Sequence, residues 1–286
     1  TVGHFDIDKD GGTLSVDGTV RVSASGSAAL TVAENTTLAL DDNIIRITSD
    51  GQVSSAGTIT NSSDTTGGLV FATADATVQG ENFSNIYIDA NVSTSEDVTF
   101  TGTLTINNDT LTVSAGHDFS PADNGQLVVM NLANEAAITA TGTFNNAENT
   151  YDLEYNGDLT ANAVVAGEWT DDVEDVTIEV DSDIGGNNYV VALPGDREAV
   201  NVTVVGGSIF AGADDADADL TITGKLTVQE DAIISDGIDG GNGASNRSTL
   251  ILSGDEITHD ISGQLNSATG NDSLTVTISG DNVNFA

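Results

Sequence analysis

The sequence predicts an all-β chain wound as a β-solenoid, a parallel β-helix-like stack of short strands. Three observations point there. Apolar residues alternate with polar ones along most of the chain, which is the period of a half-buried strand. The breaks between alternating runs are Asp-Gly, Asn-Asp, Ser-Gly and Gly-Gly, in a chain of 286 residues with 31 glycines and two prolines. A Gly-x-apolar tripeptide recurs at strand starts, as it does in stacked supersecondary units.

From the N-terminus, TLSVDGTVRV places Leu14, Val16, Val20 and Val22 on one face. ALTVAENTTLALDDNIIRITSDG repeats the pattern with Leu30, Val32, Leu38, Leu40, Ile45 and Ile47. VTFTGTLTINNDTLTV carries Val98, Phe100, Leu104, Ile106, Leu111 and Val113, and SLTVTISGDNVNF carries Leu274, Val276, Ile278 and Val283. β-Branched and aliphatic residues dominate these runs, as a pleated, half-buried surface requires. The best helical stretch, Leu127 to Ala137, lacks both a cap and an apolar stripe.

Gly18, Gly57, Gly102, Gly142, Gly224 and Gly263 open the recurring tripeptides, at spacings of 39, 45, 40, 82 and 39. With one copy missing near residue 183, this is a loose period of about forty. The organisation expected is an N-terminal arm with a calcium-type loop (1–17), a β-rich segment (18–80), a β-repeat unit (81–168) and a second unit with an insertion (169–286). Tandem β-sandwich domains are the alternative, because alternating strands at this spacing would also supply them. Propeller blades share the period, but their aromatic signatures are missing from a chain with one tryptophan.

Charge narrows the function. Asp and Glu number 45 against six Lys and Arg, a formal net of -39. Such a surface repels nucleic acid and anionic membranes. No apolar run approaches the roughly 18 residues of a membrane span, so no membrane insertion is expected. Cations that screen or bind the surface make it tolerable, which implies a calcium-containing or saline medium. With a start on Thr1 that suits a processed chain, these features point to a secreted, cell-surface location.

Catalytic chemistry has little to build on. His4, His117 and His259 sit in unrelated polar contexts, without cysteine partners or the spacing of a zinc site. No nucleophile elbow, phosphate loop or dinucleotide fingerprint occurs. An enzyme acting on acidic polysaccharide would need cations and sugar-stacking rings. Lys9, Arg21, Arg46, Arg197, Lys225 and Arg247 are scattered along the sequence, and the rings are limited to Trp169 and four tyrosines. The chain is therefore read as a non-enzyme.

Cation binding is the sharper signal. In FDIDKDGGTLSVD, Asp6, Asp8 and Asp10 fall at positions 1, 3 and 5 of a twelve-residue calcium loop, Gly12 offers a carbonyl and Asp17 closes it. Asp replaces the usual terminal Glu and no flanking helix is expected, so the loop is read as a calcium clamp on the entry to the first strand. GADDADADL, with Asp214, Asp215, Asp217 and Asp219, is a second acidic cluster that a cation would relieve. DGIDGGNGASN, from Asp236, reads as a plain turn.

The segments FSNIYIDANV…VTFTGTLTINNDTLTV and YDLEYNGDLTANAVVAGEW…LTITGKLTVQEDAII resemble the β-strand repeats of large secreted, adhesin-like bacterial surface proteins. The resemblance spans roughly residues 80 to 240 and implies a β-solenoid displayed outside the cell. The function expected is a structural subunit of an extracellular filament or surface layer. It would assemble head to tail through its strand edges, with Val2 and Phe5 at one end and Val283 and Phe285 at the other, stabilised by calcium. Alternatives are a fragment of a calcium-dependent adhesin that binds glycan or protein, and a polysaccharide-active β-helix enzyme.

Overall fold

In the computed structural model the described residues are all but 10, 24–27, 62–67, 74, 132–136, 146–147, 160–162, 165–166, 182, 185–186, 189, 207–208, 213–217, 236–246, 254–256, 267–272 and 279–282. They form strands and turns and no helix. The fold is a β-solenoid of parallel sheets stacked coil on coil. A small antiparallel hairpin, Asp183–Ile184 with Asn187–Asn188, is the exception to parallel pairing among the described strands. Two compact units form: Thr1–Val128 with Ala137–Tyr151, and Val129–Ala136 with Asp152–Ala286.

In the first unit each coil has three faces. The first coil runs Phe5–Ile7, Thr13–Ser15, Thr19–Val22, and the second Ala28–Val32, Thr37–Ala39, Ile44–Ile47. Phe5 lies opposite Leu30, one coil on. Further along, Ala76 faces Val92 and Val92 faces Leu111, so the coils there are shorter. In that stretch the first two faces merge into long strands, Ala76–Phe83 and Val92–Phe100. In the second unit one face is laid down by Val173–Asp181, Asn201–Val204, Leu226–Val228, Thr258–Ile261 and Asn284–Phe285. Its coils vary in length along the chain: Asp175 faces Asn201, Val202 faces Leu226 and Thr227 faces Asp260.

The alternation read from the sequence sets which side chains enter the coil. Leu30, Val32, Leu38, Leu40, Ile45 and Ile47 are fully buried, as are Phe100, Leu104, Ile106, Leu111 and Val113. Burying one such side chain contributes about 1.5–3 kcal/mol relative to leaving it in water. Because coils stack in register, like residues form columns. Phe83 lies opposite Phe100, and Phe119 opposite Phe144. The rings of Phe100 and Phe119 are 5.6 Å apart, those of Phe119 and Phe144 6.5 Å, and Tyr151 meets Phe144 edge-on at 5.7 Å. Such geometries add to area burial.

Parallel pairing satisfies strand N–H and C=O groups through the coils on either side, but corners need other partners. Asn and Asp side chains supply them. Asn43 accepts the Gly18 N–H (2.7 Å) and donates to the Val16 carbonyl (2.9 Å). Asn85 accepts the Thr103 N–H, Asn201 the Lys225 N–H, Asp97 the Asp118 N–H and Asp196 the Asp219 N–H, at 2.7–3.0 Å. The recurrent glycines also sit at corners, where the N–H after Gly102 and Gly224 goes to an Asn side chain and that after Gly57 and Gly142 to the Thr36 and His117 carbonyls. A Cβ on Gly57 would strike the carbonyls of Ala33 and Thr36, and one on Gly142 those of Ser114 and His117. Gly57 and Gly142 let a new strand pass under the corner of the coil before it, whereas a Cβ on Gly18, in the first coil, would meet nothing.

Candidate functional site

The first coil carries the N-terminal candidates. The Val2 N–H donates to the Arg21 carbonyl (2.8 Å) and its carbonyl accepts the Ser23 N–H (3.0 Å), so Val2 sits on the outer edge of Thr19–Val22. Val2 is exposed, while Phe5, Leu14 and Val20 are half-buried, because no described coil packs on their outer side.

The last coil of the second unit carries the C-terminal candidates. Leu250 and Leu252 are buried, and Val276 and Ile278 occupy their register positions one coil further on. Phe285 likewise stands opposite the buried His259, with ring centroids 5.5 Å apart. These inward positions are uncovered: Val276 is 40% exposed, Ile278 48% and Phe285 51%. Val283 is half-buried beside them. The residues assigned to assembly from the sequence thus lie on the first and last coils, and Val276 and Ile278 join them. The missed signal was available in the alternation of SLTVTI, whose apolar set has no following coil among the described residues.

The calcium-type loop is a solenoid corner. Asp6 lies outward on Phe5–Ile7, and Asp8 and Asp17 are exposed in the turns that follow. Gly11 has φ +67°, as the tight turn requires. The Gly12 N–H donates to the Lys9 carbonyl (2.8 Å), and its own carbonyl accepts the Thr37 N–H (3.0 Å). The buried Thr36 hydroxyl donates to the Lys9 carbonyl (3.0 Å) and accepts the Lys9 N–H (3.2 Å). The loop is thereby tied to the second coil through its backbone groups. Among the described residues no three acidic or histidine side chains gather as a metal site, so Asp6, Asp8 and Asp17 do not by themselves form a cage. Asp10 lies outside the described residues, as do Asp214, Asp215, Asp217 and the turn from Asp236. Asp219 is half-buried at the start of Asp219–Ile222.

A trough runs along one corner of the first unit. Ala56, Gly80 and Gly116 lack bulk there, leaving about 550 Å³ beside Ser55, Glu96, Asp97 and His117. It continues past Asp118 and Thr141–Thr143 as a further 330 Å³. His117 Nδ1 lies 3.7 Å from Asp97 Oδ1, the oxygen that also accepts the Asp118 N–H. The carboxylates here serve the corner, and no Lys, Arg, Tyr or Trp stands among the lining residues to recognise a sugar.

Three of the rings considered for stacking on sugar are inside. Tyr151, Tyr155 and Trp169 are buried; the Tyr155 hydroxyl donates to the buried Glu168 (3.1 Å), and Trp169 Nε1–H to the Glu198 carbonyl (2.8 Å). His259 is buried too: its Nδ1 accepts the Leu226 N–H (3.1 Å), and burial, then the Lys225 charge, holds its pKa below 6.5. His4 is exposed and hydrogen-bonds the Ala28 carbonyl. No family model, curated protein or solved structure matches the chain.

Proposed function

We propose that this chain is a structural element of an extracellular filament or surface layer, in which the first coil of one copy stacks on the last coil of the next. The observation that carries this reading is the uncovered inward row Val276, Ile278 and Phe285, whose counterparts one coil earlier are buried. A further coil would bury that row and pair the edge N–H and C=O groups of the last strands. Val2, Phe5, Leu14 and Val20 form the matching apolar surface on the first coil. A head-to-tail contact uses two different surfaces of the chain, so each added copy presents a fresh end for the next. Adhesion to glycan has less support, because Tyr151, Tyr155 and Trp169 are buried.

Sedimentation velocity and negative-stain microscopy of the purified protein test the reading. Concentration-dependent rods are expected from the natural chain and none from V276K/I278K, with the β circular dichroism unchanged. Deleting Thr1 to Phe5 should abolish assembly in the same way. A chain that stays monomeric at every concentration and salt level sinks the proposal.

Calcium enters this reading as a cation that lowers repulsion between copies each carrying -39. Chelation at low salt should lower both the melting temperature and the rod population, and magnesium should restore them less well. If D8A/D10A responds to chelator like the natural chain, the opening loop is a corner only.

A further inference from the structure

Six cations among 45 acids could each sit beside a carboxylate of the same chain, yet two of them are neighbours. Arg21 lies opposite Arg46 in the register of Thr19–Val22 with Ile44–Ile47, one coil apart. Both point outward, since Val22, Ile45 and Ile47 fill the coil. Arg46 reaches Asp89 (Nη2 to Oδ2, 3.3 Å), whereas Arg21 is exposed and makes no side-chain hydrogen bond or ion pair among the described residues. Like charges directly opposite each other across a strand pair are destabilising. Asp89 answers the Arg46 charge, and Arg21 is left exposed to an anion from elsewhere.

The second unit carries the mirror of this arrangement. Asp152 and Asp175 stand on adjacent outward rungs, joined by the Asp175 N–H donating to Asp152 Oδ1 (3.3 Å). Both are exposed, and Glu179 follows on the same outward row. Asp175 accepts a hydrogen bond from Asn201 (2.6 Å), but neither carboxylate has a cationic partner among the described residues. Their mutual repulsion is felt: partial burial and then the neighbouring Asp175 charge raise the Asp152 carboxyl above its ordinary 3.8.

We propose that the Arg21–Arg46 pair of one copy docks on the Asp152–Asp175 pair of a second copy. Arg21 and Arg46 are one coil apart, about 4.8 Å, and the Asp175 N–H bond to Asp152 holds the two carboxylates close together, so Arg21 meets one carboxylate directly while Arg46 shares its guanidinium between Asp89 and the other. Each like-charge pair is costly alone and relieved by the other. The contact joins coils side to side, unlike the end-to-end stacking proposed above. It rests on that reading only in taking a second copy of the chain as the partner.

The experiment is a charge swap on the full chain in the V276K/I278K background, which removes end stacking and leaves the lateral faces intact. Sedimentation velocity at about 150 and 500 mM NaCl, where general repulsion between copies is already screened to about 8 Å or less, should reveal association that weakens severalfold at the higher salt. R21E/R46E alone and D152N/D175N alone should each lose it, with unchanged circular dichroism. An equimolar mixture of R21E/R46E with D152K/D175K should associate again, because every swapped pair then meets its opposite. Should D152K/D175K fail to fold, the loss in D152N/D175N and in R21E/R46E carries the test. The proposal is overturned if R21E/R46E associates like its parent, if the parent never associates, or if sulfate stabilises the parent through Arg21 while it stays monomeric. Persistence of lateral association with no rods from the natural chain would overturn end stacking and leave this contact standing.

Discussion

Asp152 and His259 feel burial in opposite ways, and each gives a pH signature. Burial, then Asp175 and Glu174, raise the Asp152 carboxyl, so the folded chain holds that proton more tightly than the unfolded one. Stability from this group therefore grows as pH falls from neutral toward 3.8 and is lost as pH rises through the folded value. Asp152→Asn keeps the acceptor for the Asp175 N–H and removes the charge. Its melting temperature should exceed that of the natural chain at pH 7, with the difference vanishing below pH 3.8, as thermal scans across pH would reveal. His259 runs the other way. Its neutral ring accepts the Leu226 N–H, and burial favours that form, so its contribution is complete above 6.5 and is lost as pH falls through the lower folded value. Protection of the Leu226 amide from hydrogen exchange should drop on acidification below 6.5. His259→Leu should leave that amide unpaired, cost about 1–3 kcal/mol at neutral pH, and abolish the acid-side drop.

The corner decides how the strands connect. Each needs a backbone that passes close under the previous coil and a partner for the N–H left over, an Asx side chain at Thr103 and Lys225 and a backbone carbonyl at Thr58 and Thr143. Gly142 meets two backbone carbonyls that cannot move aside, so Gly142→Ala should destabilise by about 3 kcal/mol or more, at the upper end of overpacking costs. Gly116 has φ +81° and open space around it, so alanine there should cost only the left-handed strain, about 1–2 kcal/mol. Urea titrations of the two variants compare them directly; equal costs would mean that close approach is not why the tripeptide recurs. The corners also explain why the spacing of the tripeptide is not the length of a coil. Gly18 and Gly102 open strands of one face and Gly57 and Gly142 strands of another, so the motif marks corners of any kind. Coils range from the short span between Ala76 and Val92 to the long one between Thr227 and Asp260, and no regular period survives that spread.

On the scale of the whole molecule, a net charge of -39 sets the response to medium. Part of the acidity is structural, since Asp97, Asp152 and Asp196 cap the backbone of following coils. The rest opposes compaction through self-repulsion. The melting temperature should rise steeply as NaCl goes from about 10 to 150 mM, over which the screening length falls from about 30 to 8 Å. Calorimetry at constant pH reads this, and a flat response would mean that the carboxylates are neutralised within the fold.

Alternation, turn chemistry and the scarcity of helix-forming stripes were written locally, and they determined strand content, all-β class and the inward set from Leu14 to Val113. Residues two apart share a face whatever the rest of the chain does, so this part could be read directly. Which residues become neighbours across coils was decided only in three dimensions. Arg21 and Arg46, Asp152 and Asp175, and the phenylalanine column are separated by coils of unequal length. Their register is fixed by corner hydrogen bonds and by glycines that lie far away in sequence, and no short stretch of the chain carries that information.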